Sequence, residues 1–440
     1  MRKGTGILAK IKKVGKVIGP GVITGASDDD PSGIATYSQA GARFGLTTLW
    51  TSLLSFPLSV SIQEMCARIG VVTSVGLTAT LKKYYPRWLL YFVMILSIPA
   101  IILNIGADIA GMAAVSHMLI PVVPSVVFSV VFTIFLLWLI IYLPYDKIVS
   151  VLKYLCLSIL LYIVVPFFTG PRWNEVFKHL FIPTVSFTKE FFTILVAILG
   201  TTISPYLFFW QVTMEAEDVT KARRVVLARR RLMNLNKEQA KRHEKNFIKF
   251  LIGKMQLDVN IGILLSNIVM FFIMLATGTA LFDNAVHQID TVEQAAKALE
   301  PVAGKASYAL FALGVLGTGF LAVPVLSGSL SYIVAETFGW KASLDKKYWQ
   351  AKEFYIVIGL ALASALTINF LGVSPIQALY YTSILYGIVS PVIIGVILAI
   401  GNNKKIMKEH TNGKLSNTLG VLTLLLMLAS AVALIYFQLS

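Results

Sequence analysis

Two kinds of residue are scarce in this 440-residue chain, and each shortage excludes a class of protein. Charged residues make up only 14% and hydrophobic ones 56%. With a mean hydropathy of +0.75, that composition describes a polytopic membrane protein and excludes a soluble domain. Cysteine is limited to Cys66 and Cys156, both inside apolar runs, so there is no case for a disulfide framework or a thiolate metal site. The five histidines, His117, His179, His243, His287 and His410, fall in loops or at the ends of apolar runs. No imidazole lies mid-membrane to relay protons, and no His-Glu-x-x-His pattern supports a membrane-embedded metal hydrolase. The chain is not read as an enzyme, and no low-complexity tract or soluble domain interrupts it.

Apolar runs of about 20 residues, enough to cross a bilayer, are what the chain has in abundance. They fall near 18–42, 47–70, 88–115, 122–144, 149–170, 190–213, 256–282, 306–335, 354–371, 375–400 and 416–438, which makes eleven expected spans. The net charge of +16 points to a membrane and not to nucleic acid, because the basic residues alternate between loops. Of the 38 Lys and Arg, all but Arg43, Arg172, Lys178, Lys189, Lys297 and Lys305 fall in segments on one side. The expected topology therefore has a cytoplasmic N-terminus and Ser440 outside. The basic N-terminal stretch is followed by no small-residue cleavage site and is read as the start of a retained first span. The inward 214–254 loop, basic over 221–254 with Arg223, Arg224, Arg229, Arg230, Arg231, Lys241, Arg242 and Lys245, reads as a juxtamembrane helix meeting anionic lipid headgroups. The outward loop 283–305, with Val292, Ala295, Ala296 and Leu299 aligned, reads as a short surface helix.

The first span has a break in it. Apolar and small residues run to Ser27, then come Asp28, Asp29, Asp30, Pro31, Ser32 and Gly33, and a second small-residue piece begins near Ile34. Proline removes a backbone donor and glycine frees the backbone, so a continuous helix is not expected. Broken backbone at membrane depth is tolerated only where protein or a water-filled cavity covers it, and intramembrane carboxylates are costly enough to be read as functional. The alternative is that the three acids sit at an aqueous interface and cap the helix from Ile34.

The sixth span carries a second break at Gly200-Thr201-Thr202-Ile203-Ser204-Pro205-Tyr206. A proline kink alone is weak support for function. Its position strengthens it, since spans one and six start on opposite sides, five spans apart. Two interrupted helices at corresponding places in oppositely oriented halves are the signature of an inverted-repeat transporter with its substrate at the midplane. The fold expected is all-α, a five-plus-five inverted repeat of the LeuT-like kind with spans 1 and 6 discontinuous. It forms one transporter domain over 1–440, with repeats at about 15–170 and 190–400 and an extra helix at 416–438. Asp30 with its neighbour Asp29, carbonyls near Thr201 and the Ser204 hydroxyl would make a hard-cation site.

At these stretches the sequence resembles the Nramp family of divalent-metal transporters, over most of the chain. The family's Asp-Pro-Gly-Asn, Ile-Ala-Thr and Gln-Ala-Gly-Ala stand as Asp30-Pro31-Ser32-Gly33, Ile34-Ala35-Thr36 and Gln39-Ala40-Gly41-Ala42. Ala67-Arg68-Ile69-Gly70-Val71-Val72-Thr73 also looks like the family's second span. The resemblance implies metal ligands at the first and sixth spans, and the departures fall on those ligands. Gly33 replaces the asparagine ligand, and Ser204-Pro205-Tyr206 replaces Met-Pro-His, removing the thioether and a proton-linked histidine. Gln211 stands for a second histidine and Ser383 for the metal-adjacent glutamine of the tenth span. In the third span Ile105 and Asp108 stand for a proton-linked Asp and Glu.

An oxygen-only site gives up the preference for softer metals, and magnesium is usually held through one or two carboxylates with waters retained. The expected cargo is thus partly hydrated Mg2+, as in the magnesium-transporting branch related to Nramp proteins, with a proton-coupled Mn2+ or Fe2+ importer as the alternative. Any proton relay would run through Asp108 and Glu64, with Tyr206 and Gln211 beside the path, so little or no proton coupling is expected. Entry would then be driven by the membrane potential, about 2.3 kcal/mol per charge per 100 mV. Asp108 has a second reading as a buried partner of a backbone group or of Asn104, and Glu64 with Gln63 reads as structural. A sodium-coupled amino-acid carrier shares the architecture, but three adjacent acids argue against it. No cofactor is expected, a monomer is compatible with the sequence, and the expected setting is a bacterial plasma membrane.

Overall fold

The computed structural model describes residues 20–143, 147, 162–233, 237–284, 286–370 and 372–439. The described chain is helical throughout and contains no strand. The first span is two pieces, α1 (Pro20–Asp28) and α2 (Pro31–Phe44). Next come α3 (Trp50–Thr73), α4 (Arg87–Leu119) and α5 (Ser125–Tyr142). The sixth span is again two pieces, α6 (Lys189–Thr202) and α7 (Pro205–Met233). After it come α8 (Lys237–Ala280), α9 (Ser307–Phe338), α10 (Lys352–Ile368), α11 (Pro375–Asn402) and α12 (Lys414–Leu439).

Both helix breaks are therefore present where the residues require them. Asp30 is the N-cap of α2 and Pro31 its first residue, where a missing N–H costs nothing. Thr188 caps α6 by accepting from the Phe191 amide, the usual role of a threonine before a helix.

Seven segments among the described residues are long and apolar enough to cross a membrane: Arg87–Leu119, Ser125–Tyr142, Lys189–Arg223, Asn246–Asn284, Val292–Phe338, Pro375–Asn402 and Lys414–Gln438. Of the eleven expected spans, 88–115, 122–144, 190–213, 256–282, 306–335, 375–400 and 416–438 coincide with these, and three of the other four are helical but shorter or more polar for physical reasons. The first is split into pieces of 9 and 14 residues, α10 has 17, and α3 spends its length on Ser52, Ser55, Ser59, Ser61, Gln63, Glu64 and Arg68. Most of the expected fifth span lies outside the described residues, as does the basic N-terminal stretch.

The basic 214–254 segment, read as a juxtamembrane helix, is mostly helix among the described residues, formed by the far end of α7 and the start of α8. The side chains of 224–245 lie outside the described residues, and the lipid-facing expectation for them with it. The 283–305 segment folds as several short helical turns in place of one surface helix, since Pro301 and Gly304 interrupt it. Its Val292, Ala295, Ala296 and Leu299 are buried, as their alignment requires.

Close backbone approach positions the two breaks. α1 runs against α8 at Gly25 and Gly262, where a Cβ on Gly25 would come within 2.2 Å of the Gly262 carbonyl oxygen. α6 runs against α11 at Gly200, where a Cβ would lie 2.0 Å from the Ser383 carbonyl oxygen. Small residues at such crossings let helices pack without the hydrophobic drive that water supplies. α4 packs along α9 and α11, so its middle faces the first break.

Candidate functional site

The two breaks meet. A Cβ on Gly33 would lie 3.4 Å from Thr201 Oγ1, the Tyr206 hydroxyl donates to the Ser27 carbonyl at 2.8 Å, and the hydroxyls of Tyr37 and Thr202 are 3.1 Å apart. Asp28, Asp29, Asp30, Gly33, Thr201, Ser204, Tyr206 and Ser383 are all buried. A cavity of about 440 Å³ lies elsewhere, between Gly76, Glu217, Tyr332, Glu336 and Asp345, and no break residue lines it.

Asp30 caps α2 as the alternative reading of the three acids requires, but at a buried site and not at an aqueous interface. Its Oδ1 accepts from the Gly33 amide at 2.8 Å and the Ser32 hydroxyl at 2.5 Å, and its Oδ2 accepts from Asn104 Nδ2 at 3.0 Å. Asn104 is thus the partner of Asp30 and not of Asp108. The three consecutive acids diverge. Ser266 on α8 faces Asp28 Oδ2 at 2.9 Å and Asp29 Oδ1 at 3.1 Å, while Asp28 Oδ1 has no partner. Among the described residues none of the three pairs with Lys or Arg, and no group of three His, Cys, Asp or Glu forms a ready-made metal cage.

The second break is more self-contained than the sequence suggests. The Ser204 hydroxyl donates back to the carbonyls of Thr201 at 2.5 Å and Gly200 at 3.2 Å, so the Thr201 carbonyl is already occupied. Ser383 accepts from Thr36 Oγ1 at 2.9 Å and donates to the Leu379 carbonyl at 3.2 Å, which ties α11 to α2. It is a strut between the breaks.

The four residues that the sequence associates with an ion or proton path are not joined to one another by hydrogen bonds. Tyr206 joins the breaks, as above. Gln211 accepts from Thr24 at 2.5 Å and donates to Glu215 at 3.1 Å, a polar file along α7. Asp108 faces Asp30 and the Ser32 main chain, and neither of its carboxylate oxygens completes a hydrogen bond. Glu64 is engaged elsewhere, with Arg68 at 3.6 Å and with Gln256 and Asn260 at 3.3 and 3.2 Å. It joins α3 to α8, as its structural reading holds.

Sequence reasoning missed Ser266, Tyr37 and Tyr386. Serines and tyrosines are common in polytopic helices; Ser266 and Tyr37 sit beside no proline, glycine or acid, and Tyr386 has only Gly387 next to it.

Two broken helices meeting at a buried, acid-rich junction define an all-helical protein of the LeuT-like transporter fold. The chain belongs to the Nramp family: the family model described as natural resistance-associated macrophage protein-like matches residues 21–437. The divalent metal cation transporter MntH of Caldanaerobacter subterraneus subsp. tengcongensis is 24% identical over 425 residues, 96% of this chain and 93% of that one. The Eremococcus coleocola manganese transporter superposes with a TM-score of 0.71 at 19% identity, over 99% of this chain and 89% of that one. MhsT, solved with L-phenylalanine, superposes at 0.57 and 13% identity over 95% and 97%, a likeness of fold alone.

Proposed function

We propose that this chain moves divalent metal cations across a membrane by alternating access, with Asp30 as the charged group holding the ion between the two breaks. The observation that carries this reading is the set of three buried carboxylates at the junction, none paired with Lys or Arg among the described residues. Uncompensated buried charge is strongly unfavourable, and a passing cation supplies the compensation. The named transporters above support the same class. The alternating-access element of this reading is the pair α1 and α7, the half-helices that lead away from the two breaks.

Two observations bear on which ion is carried, and they pull apart. The solved relative is a manganese transporter, and the comparisons favour the manganese importer over magnesium. The donor set around Asp30 favours magnesium: Ser32, Gly33 and Asn104 offer oxygen or amide there, while the thioether of Met270 at the junction is engaged by the Thr202 hydroxyl at 3.7 Å. The donors belong to this chain and the names to proteins 24% identical or less, so partly hydrated Mg2+ stays the working reading of the site and Mn2+ the reading carried by the relatives. With Asp108 facing Asp30 from outside the first break and Glu64 engaged by Arg68, little proton coupling is proposed. The cytoplasmic N-terminus, the external C-terminus, the repeats at about 15–170 and 190–400, anionic lipid at 221–254 and the bacterial plasma membrane belong to the same proposal.

Uptake into proteoliposomes, followed with a magnesium-sensitive dye, a manganese-sensitive dye and a luminal pH reporter, tests it. Magnesium entry without acidification supports the uncoupled hydrated-ion reading. Manganese entry with acidification and no magnesium entry replaces it by the importer of the relatives. Entry of neither ion removes the transport reading.

A further inference from the structure

The oxygens lining the junction are unevenly satisfied. Beside the second break, the Ser204 hydroxyl, the Thr201 carbonyl and the hydroxyl of Ser383 on α11 are all bonded within the protein. Around the middle of α4, four buried oxygens complete no well-formed hydrogen bond: Oδ1 and Oδ2 of Asp108, which only face the Ser32 main chain, Oδ1 of Asn104, and the hydroxyl of Tyr386 on α11, which only faces Asn104. All three residues are fully buried. They also belong together. Asn104 and Asp108 are one turn apart on α4, so they share a face. Asn104 holds Asp30 Oδ2 through its amide nitrogen, which leaves its carbonyl oxygen as the free end. Tyr386 lies beside Asn104, Asp108 and Asp30, and its ring centre is 5.8 Å from that of Tyr206.

Buried polar groups without partners are rare in native proteins, and each requires an explanation. Here Asp108 and Asn104 present only acceptors, and the tyrosine hydroxyl can accept as well. A group that binds acceptors alone is a cation or the water shell of one. We propose that the ion sits on the α4 side of Asp30, its retained waters held by Asp108, Asn104 and Tyr386, and that Asp108 is the second charged group of the transport site. This rests on the divalent-cation reading above and gives it a location. The second break supplies a wall closed by its own hydrogen bonds, and α4 together with Tyr386 of α11 supplies the oxygens.

Calorimetric titration of the purified full-length protein with MgCl2, and separately with MnCl2, tests this apart from the transport reading. Wild-type protein that binds and transports neither ion overturns the transport reading itself. Given wild-type binding, Asp108→Asn is expected to raise Kd at least about tenfold, the scale of a lost charge-assisted contact. Asp108→Glu, which keeps the charge, is expected to recover most of that loss, a rescue that a packing role would not give. Ser204→Ala is expected to weaken binding less, about threefold at most, because its hydroxyl is spent on its own backbone. A larger loss of affinity in Ser204→Ala than in Asp108→Asn overturns the proposal, as does an Asp108→Asn variant that keeps wild-type Kd and loses only acidification. Should Asp108→Asn fail to fold, Tyr386→Phe removes a single hydroxyl and is expected to raise Kd about threefold; an unchanged Kd there overturns the proposal as well.

Discussion

At the first break a proline follows three acids, and at the second a proline follows two threonines, an isoleucine and a serine. The residue before each proline shows how far the likeness goes. Asp30 is an acceptor, so it turns forward and takes the Gly33 amide and the Ser32 hydroxyl at the start of α2. Ser204 uses its hydroxyl proton, so it turns back and closes the Thr201 carbonyl at the end of α6. One break is left with negative charge and the other with none. Inverted symmetry therefore repeats the backbone device without repeating its chemistry, and a cation between the breaks is attracted from one side.

Removing the charge breaks the comparison most severely. Asp30→Ala leaves the first break as uncharged as the second at that position, and divalent uptake is expected to vanish. The same substitution removes the cap of α2, worth about 1 kcal/mol, which a marginal fall in melting temperature would register in a protein that stays monodisperse on a sizing column. Retained uptake would take Asp30 out of the site.

A smaller effect is expected from making the breaks more like those of the family. Gly33→Asn with Ser204→Met restores the missing amide and thioether, and uptake competition is expected to shift toward manganese over magnesium. Space is available but tight, since a Cβ on Gly33 meets the Asp28 carbonyl at 3.2 Å and Thr201 Oγ1 at 3.4 Å. An unchanged ion ratio would mean that selectivity is set elsewhere, with the oxygens of α4 the first place to look.

The contrast between the breaks also explains what is legible in the sequence. Both breaks, their inverted placement and the burial of Asp30 follow from Asp-Pro and Ser-Pro inside apolar runs, because proline and charge act on the backbone locally. The burial of Val292, Ala295, Ala296 and Leu299 follows from spacing alone. What is not legible is direction and partnership. Ser204 turning back onto α6, Ser383 acting as a strut to Thr36, and Asn104 holding Asp30 across a gap of 74 residues depend on how the helices cross. Nothing in α4 or α8 marks Asn104 or Ser266 as facing the acids. Arg and Lys are good helix formers and mark the inward segment as helix, but nothing in the run shows that α7 and α8 continue into it without a break.

The mildest expected effect concerns the contact that holds the breaks together. Tyr206, where the family has a histidine, donates its hydroxyl to the Ser27 carbonyl near the end of α1. Phenylalanine keeps the ring, and with it the 5.8 Å approach to Tyr386, while freeing that carbonyl. A hydrogen bond of this kind is worth about 1 kcal/mol net, so Tyr206→Phe is expected to alter uptake only several-fold. The sense of the change identifies the step. If the bond ties α1 to α7 in one conformation, losing it changes the maximal rate and leaves half-saturation in place, since no ligand of the ion is removed. A change in half-saturation with an unchanged maximal rate would instead put the Tyr206 hydroxyl among the groups that hold the cation, and the second break would then carry part of the chemistry assigned here to the first.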